Sequence, residues 1–283
     1  MTGMIRVLHI GLGPIGQGIA RLAATHPRLQ PVGGLDISSD LAGRTLGDVI
    51  GLKTPLKTPV VTDWGQALAW QPDIALLATD SRLSAILPQL LKIIEQRIPV
   101  ISTSEELSYP WFHHPEDAGR LDEAARRAGV AVLGTGINPG FIMDALPLAL
   151  SGVCPDVTHV HCRRVVDLSQ RRRQLQQKVG VGYSVERFRE EAMRGTLGHV
   201  GLPESVAMLA AGLGWPLTHI EQTLEPVVAQ GSHTSALGVV LSGGVIGQHQ
   251  IARGWVGDEE KIRLELIMAL DTKDAGDFVE LSG

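Results

Sequence analysis

Two adjacent carboxylates, Glu105 and Glu106, follow the apolar stretch "PVISTS" (99–104). A carboxylate at the end of a buried strand is placed to take a proton from a bound ligand, which is the task of a general base. Acids are also common in the first turn of a helix, where the helix dipole favours them. The pair is therefore a candidate catalytic site, and the residue types leave helix capping open as the alternative.

The stretch "GLGPIG" (11–16) has glycines in the spacing G-x-G-x-x-G. In a dinucleotide-binding loop the first glycine permits the turn from strand to helix, and the second lets the backbone approach a diphosphate. The third lets the helix lie close to the strand, and the helix directs its N-terminal N–H groups at the anion. The stretch follows a strand pattern and opens a helix pattern, as the motif requires. The predicted cofactor contacts here are Gly11, Gly13, Pro14, Ile15 and Gly16.

Asp36 lies 20 residues beyond Gly16, at the end of the second strand pattern. A carboxylate at this position accepts hydrogen bonds from the adenosine ribose. Asp36 predicts NAD as the cofactor, because a carboxylate repels the 2′-phosphate of NADP. Ser38 is a further predicted cofactor contact, and with Ser39 and Arg44 it leaves NADP possible.

The first half of the chain alternates apolar strand patterns with amphipathic helix patterns. Strands are predicted over 5–11, 31–36, 59–62, 73–80, 99–104 and 130–136, and helices over 14–27, 81–97 and 116–129. Continuous apolar strands separated by helices predict a doubly wound parallel sheet of the Rossmann type. Residues 1–136 are therefore predicted to form a dinucleotide-binding α/β domain.

Ligands of such sheets bind outside the carboxyl ends of the strands, near the point where the strand order reverses. Thr79 closes the strand pattern "DIALLATD" (73–80), and we expect it to contact the cofactor. Glu105 and Glu106 follow the next strand pattern. This position predicts that the acids face the reacting carbon.

The second half has a different pattern. Apolar and polar residues alternate along two long predicted strands, 156–169 and 261–271, and helix patterns lie at 184–195 and 203–214. Alternation of this kind is typical of an antiparallel sheet with one solvated face. Residues 137–283 are predicted to form an α+β domain.

Two stretches, "EELSYP" (105–110) and "GTGINPGFIMDALPL" (134–148), resemble the 2,4-diaminopentanoate dehydrogenase family and the related native amine dehydrogenases. Both groups are distant relatives of dihydrodipicolinate reductase. The likeness continues through 163–182 and 198–215, so it spans most of the chain. It implies a homodimer that carries out NAD(P)-dependent oxidative deamination of a small amine or diamine, and the reverse reductive amination with ammonia. The C-terminal domain would bind the substrate and mediate dimerisation.

The resemblance also implies that one glutamate of the pair handles ammonia or the attacking water. Glu105 is assigned first, because it lies closer to the strand end, and Glu106 second. A carboxylate there can move protons on the amine and stabilise a cationic iminium.

The stretch "TGINPGF" (135–141) predicts a loop that positions the nicotinamide and the substrate. The amide of Asn138 suits the carboxamide of the cofactor, with a helix N-cap as the alternative. Phe141 and Met143 are predicted to line an apolar substrate pocket. His161 and Arg163 share one strand face and are predicted substrate contacts, while a paired, structural histidine remains the alternative.

Two other functions stay open. Dihydrodipicolinate reductases carry a "HHxxKxDAPSGT" stretch, whereas the comparable region here, 163–182, lacks the histidine pair and the turn that binds a substrate carboxylate. That departure argues against a cyclic diacid substrate. A non-catalytic NAD sensor is the alternative from a different class.

The composition is that of an ordinary globular protein, with 44% hydrophobic and 19% charged residues among 283. The net charge of −5 gives no basic surface for nucleic acid or for an acidic membrane. Two cysteines without CxxC spacing favour the reducing cytoplasm.

We expect no signal peptide and no membrane span, because a strand pattern begins almost at once and no apolar run is long enough to cross a bilayer. No metal site is expected, because His113 and His114 are adjacent but no set of metal ligands occurs at a suitable spacing.

Overall fold

The computed structural model describes residues 3–53, 56–272 and 276–283. Its contacts divide the chain into two compact units, residues 1–136 and 137–283. The division follows the last strand of the first sheet. The roles assigned to the two parts, dinucleotide binding and substrate binding, stay predictions.

The N-terminal unit is a parallel sheet of six strands in the order β3-β2-β1-β4-β5-β6. The strands are β1 (Ile5–Ile10), β2 (Leu29–Leu35), β3 (Val60–Val61), β4 (Ile74–Leu77), β5 (Val100–Ser102) and β6 (Val132–Gly134). The helices are α1 (Pro14–Thr25), α2 (Leu46–Val49), α3 (Trp64–Ala69), α4 (Leu83–Glu95) and α5 (Pro115–Ala128), with a 3₁₀ turn over Glu106–Ser108. The predicted Rossmann-type fold is confirmed, and the strand order reverses between β1 and β4.

Backbone hydrogen bonds join the carboxyl ends of these strands into one edge. Gly11 donates to the last residue of β2 at 2.9 Å, and Ala78 donates to the last residue of β1 at 2.8 Å. Thr103 donates to the last residue of β4 at 3.1 Å. The segments that leave β1, β2, β4 and β5 therefore start side by side.

Helix α4 is fixed against the sheet by its apolar face. Six of its side chains are at most 6% exposed and belong to the same core cluster as β1, β4 and β5; they are Leu83, Ile86, Leu87, Leu90, Ile93 and Ile94. Full burial of such a side chain contributes roughly 1.5–3 kcal/mol relative to exposure. The N-terminus of α4 is thus held in place beside the end of β5.

His9 is a titratable side chain in the middle of this sheet. It lies in β1 and is 1% exposed, and its Nε2 atom has no hydrogen-bond partner within the part of the chain that the structure describes. Burial lowers the pKa of His9 to about 4. The imidazole is therefore neutral at pH 7, and the sheet beneath the glycine loop is uncharged at this point.

The C-terminal unit is a five-stranded sheet in the order β13-β7-β12-β11-β8, with a separate hairpin β9-β10. Its strands are β7 (His159–Asp167), β8 (His219–Val228), β9 (His233–Ser235), β10 (Gly238–Val240), β11 (Val245–Val256), β12 (Glu259–Ala269) and β13 (Phe278–Ser282). The helices are α6 (Ala145–Ser151), α7 (Arg173–Lys178), α8 (Val185–Met193) and α9 (Leu202–Leu213). Helix α9 packs on β11 and β12 in the core of this unit.

The prediction of an antiparallel sheet is wrong for one of the four pairings in the five-stranded sheet. β7 and β12 pair in parallel, whereas β12–β11, β11–β8 and β13–β7 are antiparallel. Side chains alternate between the two faces in both kinds of pair, so alternation alone carries no information on strand direction. The parallel pairing is possible because the connection between β7 and β12 is long and contains three helices and four strands.

Candidate functional site

The glycine loop between β1 and α1 is tightly packed at two positions and open at a third. Gly11 has a φ of +83°, and a Cβ there would lie 2.5 Å from the carbonyl oxygen of Ala78. A Cβ on Gly16 would collide with the carbonyl oxygen of Gly11. At Gly13 no atom lies within 4 Å of the Cβ position. The loop therefore presents bare backbone on its open side, the shape that a diphosphate requires.

Helix α1 begins directly after this loop, with Pro14 at its first position and no acidic residue in its first turn. Its N-terminal N–H groups carry a partial positive charge, and no acidic side chain of that turn neutralises it. The helix start and the bare loop together fit an anionic diphosphate.

Asp36 connects the glycine loop to the end of β2. Its Oδ2 atom accepts the N–H of Leu12 at 2.6 Å, and its Oδ1 atom accepts the N–H of Ser38 at 2.9 Å. Each carboxylate oxygen has a second acceptor position. The side chain can therefore hold the loop and still accept a ribose hydroxyl. These features fit the adenosine half of a dinucleotide.

The other predicted cofactor contacts of this unit lie near the loop. Ile15 is 58% exposed beside it, although large apolar side chains are usually buried. Thr79 is exposed at the end of β4, and its hydroxyl donates to Gln89 Oε1 at 3.2 Å. Both side chains are accessible to a ligand.

Glu106 is engaged with other parts of the unit. Its Oε2 atom accepts the N–H of Leu83 at 2.7 Å and lies 3.0 Å from His114 Nε2. Leu83 is the first residue of α4, where backbone N–H groups lack partners within the helix. Glu106 therefore caps α4 from another segment of the chain.

Glu105 differs from its neighbour. Its backbone carbonyl accepts the Ser108 hydroxyl at 2.7 Å, but the carboxylate has no hydrogen-bond or ion-pair partner in the part of the chain that the structure describes. The residue is half-buried. The two candidate acids therefore differ in their contacts: Glu106 caps a helix, whereas the carboxylate of Glu105 is available to a ligand.

Ser104, which the sequence analysis missed, anchors the segment that carries both acids. It is 1% exposed, and its hydroxyl donates to the carbonyl of Ser81 at 3.0 Å. Its signal in the sequence is slight, because small polar residues commonly follow a strand.

The loop that opens the C-terminal unit presents Asn138. A cis peptide bond joins Asn138 to Pro139. The carbonyl oxygen of Asn138 accepts a hydrogen bond from His199 Nε2 at 2.9 Å. The side-chain Oδ1 atom is buried and has no hydrogen-bond partner among the described residues, which costs about 1–3 kcal/mol. Such an atom is available to an N–H group of a ligand.

Asp144 ties the same loop to α9. It is 0% exposed and accepts the N–H of Gly140 at 2.7 Å, the N–H of Ala145 at 2.6 Å and the hydroxyl of Ser205 at 2.7 Å. The sequence analysis did not single out Asp144, His199 or Ser205. All three lie within the stretches 134–148 and 198–215.

Comparison with known proteins decides the family. The family model of the 2,4-diaminopentanoate dehydrogenase C-terminal domain matches residues 141–283. A 2,4-diaminopentanoate dehydrogenase of Acetoanaerobium sticklandii is 33% identical over 287 residues, which cover 99% of this chain and 81% of the relative. The chain belongs to the 2,4-diaminopentanoate dehydrogenase family.

Further relatives agree with this membership, and the resemblance seen in the sequence is confirmed. An amine dehydrogenase of Streptomyces virginiae is 24% identical over 78% of this chain and 62% of the relative. The solved amine dehydrogenase of Mycobacterium smegmatis is 26% identical with a TM-score of 0.83, over 99% of this chain and 83% of that one. The WlbA dehydrogenase of Bordetella pertussis, solved with NADH, has a TM-score of 0.59 at 15% identity over 99% of this chain and 72% of that one, and shares the fold.

In this member of the family, the two predicted apolar pocket residues differ in exposure. Phe141 is 51% exposed, so its ring is available to a ligand. Met143 is 0% exposed and belongs to the core cluster with Val160 and Cys162. Its assignment to a substrate pocket has no support from this geometry.

His161 and Arg163 are both engaged with Glu265 on β12. His161 Nε2 lies 2.8 Å from Glu265 Oε1, and Arg163 Nε donates to Oε2 at 3.3 Å. Burial by itself would raise the pKa of Glu265, but the hydrogen bond from His161 and the charge of Arg163 outweigh burial, so this pKa lies below its ordinary value. The contacts favour the alternative of a paired, structural histidine.

Across residues 3–53, 56–272 and 276–283, no helix is long and apolar enough to cross a membrane. Within the same ranges, no group of three or more His, Cys, Asp or Glu side chains is placed to hold a metal ion.

Proposed function

We propose that this chain is an NAD-preferring amine dehydrogenase that converts a small amine or diamine to a ketone and ammonia, and catalyses the reverse reductive amination. Family membership supports the reaction class. The observation that carries the proposed site is the carboxylate of Glu105, which has no partner among the described residues and follows β5 at the carboxyl edge of the Rossmann-type sheet. From the resemblance, we also expect a homodimer.

The overall reaction is R₂CH–NH₂ + NAD⁺ + H₂O → R₂C=O + NH₄⁺ + NADH. When bound, the nicotinamide supplies the acceptor for the hydride that leaves the carbon bearing the nitrogen. Glu105 takes a proton from the substrate ammonium, which frees the nitrogen lone pair to support loss of that hydride. After that proton has passed to solvent, the carboxylate is charged again and stabilises the iminium. It then accepts a proton from the water that attacks the iminium carbon and returns it to the nitrogen, which leaves and is released as ammonium.

The cofactor is assigned to the residues whose geometry fits it. Gly11, Gly13 and Gly16 leave room for the diphosphate, and Asp36 accepts from the adenosine ribose. Asn138 is assigned to the nicotinamide carboxamide, because its buried Oδ1 atom lacks a donor.

We expect the enzyme to prefer NAD over NADP and Asp36→Asn to abolish that preference. The change removes the negative charge that repels a 2′-phosphate and keeps one oxygen acceptor. NAD binding should weaken by about 1–2 kcal/mol, the scale of a charge-assisted hydrogen bond. Dissociation constants for NADH and NADPH measure both effects. Asp40→Asn is the control, since it removes the same charge from an exposed position nearby. A wild-type preference for NADP of about tenfold would contradict the assignment.

The reaction class is tested by following NADH formation at alkaline pH across simple amines, amino alcohols and diamines. The reverse assay supplies ammonia and a small ketone and follows NADH oxidation. We expect turnover in both directions and none with dihydrodipicolinate. Activity with that cyclic substrate alone would favour the reductase alternative, and tight NADH binding without any turnover would favour the sensor.

A further inference from the structure

The segment "GHVG" (198–201) contains a histidine to which the proposed reaction gives no role. His199 Nε2 lies 2.9 Å from the carbonyl oxygen of Asn138, a residue 61 positions away in the sequence. A carbonyl oxygen only accepts hydrogen bonds, so Nε2 carries the proton in this contact. The bond holds the main chain of Asn138, and with it the direction of the side-chain amide.

His199 is itself held by Gln250 on β11. Gln250 Oε1 accepts the N–H of His199 at 2.7 Å, and Gln250 Nε2 donates to the carbonyl of His199 at 3.0 Å. Gln250 is 3% exposed, and its strand pairs with both β8 and β12. One buried amide thus fixes both backbone groups of His199 to an interior strand of the sheet.

One glycine before His199 and one after it allow this arrangement. Gly198 and Gly201 both have a φ of +106°, a conformation that residues with a Cβ rarely adopt. The chain therefore turns sharply on each side of His199 and brings its N–H and carbonyl to the same amide. Gly201 also precedes the first residue of α9.

We propose that His199, clamped by Gln250, is a positioning residue that sets the Asn138 amide so that Oδ1 accepts a hydrogen bond from the nicotinamide carboxamide. The inference rests on the assignment of Asn138 to the cofactor in the proposed function. His199 acts through Asn138, and the clamp ties the loop "INPGF" (137–141) to the sheet.

The test compares the binding of NADH with that of ADP-ribose, which lacks the nicotinamide. Dissociation constants are measured by calorimetry for the wild type, His199→Met and His199→Gln. His199→Met should weaken NADH binding about fivefold, the scale of one lost hydrogen bond, and leave ADP-ribose binding unchanged. His199→Gln should restore NADH binding, because the side-chain amide supplies an N–H donor in place of Nε2.

Gln250→Met should reproduce the effect of His199→Met. Gln248→Met is the matched control: Gln248 is also fully buried on β11, and its Oε1 atom has no hydrogen-bond partner in residues 3–53, 56–272 and 276–283. This control should bind both ligands as the wild type does. Thermal unfolding of each variant identifies any that fail to fold.

In an Asn138→Ala background, the effect of His199→Met should disappear, because the two changes act through one contact. Unchanged NADH binding in folded His199→Met would overturn the proposal, as would equal weakening of NADH and ADP-ribose. An effect that persists without the Asn138 amide would also overturn it. The readout contains no amine, so a failure of the amine dehydrogenase proposal shows only in the turnover assays.

Discussion

Glu105→Gln should lower kcat for amine oxidation by roughly 100-fold or more, the usual contribution of a positioned general base. The substitution keeps the shape of the side chain and removes its charge and its capacity to take a proton. The carboxylate has no partner in the described part of the chain, so the fold should lose little stability. Initial rates with the best amine, together with the dissociation constant of NADH, measure the effect. NADH binding should be nearly unchanged.

Glu106 provides the matched comparison. Glu106→Gln keeps an oxygen that can accept the N–H of Leu83, and it should retain most of the activity. Glu106→Ala removes the cap and should lower the free energy of unfolding by about 1 kcal/mol, as the loss of a helix cap does. If Glu106→Gln loses the chemistry and Glu105→Gln keeps it, the roles are exchanged. If both glutamine variants remain active, neither carboxylate is catalytic.

Gly16→Ala should weaken NADH binding by about 10- to 100-fold, because an added Cβ collides with the backbone of Gly11. Forcing an extra carbon into a packed site costs about 1–3 kcal/mol, and the loop must shift to relieve it. Fluorescence titration with NADH measures the loss, and ADP-ribose should be weakened equally, since it uses the same loop.

Gly18→Ala controls for the substitution itself. Gly18 lies in α1, and no atom outside its own helix lies within 4 Å of its Cβ position. Alanine there should raise the free energy of unfolding by about 0.5–1 kcal/mol and leave NADH binding unchanged. If Gly16→Ala binds NADH as tightly as the wild type does, the glycine loop is not part of the cofactor site.

The stretches that resemble 2,4-diaminopentanoate dehydrogenases lie far apart in the sequence. Two of these stretches, 134–148 and 198–215, contact each other through residues of the C-terminal unit. Asp144 accepts from Ser205, and His199 donates to Asn138. The stretch 198–215 therefore holds the loop that contains Asn138 in place.

The sequence by itself determined the Rossmann-type fold of residues 1–136, the glycine loop and the family. Hydrophobic periodicity and glycine spacing are local properties, so neighbouring residues are sufficient to read them. The parallel pairing of β7 with β12, in contrast, depends on a connection of about 90 residues, and local alternation is the same for either direction.

The sequence ranked Glu105 before Glu106 by distance from the strand end, but it could not show which carboxylate is engaged by other parts of the chain. Glu106 is occupied by Leu83, 23 residues earlier, and by His114, and nothing in "EELSYP" indicates those contacts. Likewise, Gln250 meets His199 across 51 residues. Adjacent residues of one type differ in their contacts because the fold brings different distant partners to each, and only the tertiary structure shows that the carboxylate of Glu106 is engaged.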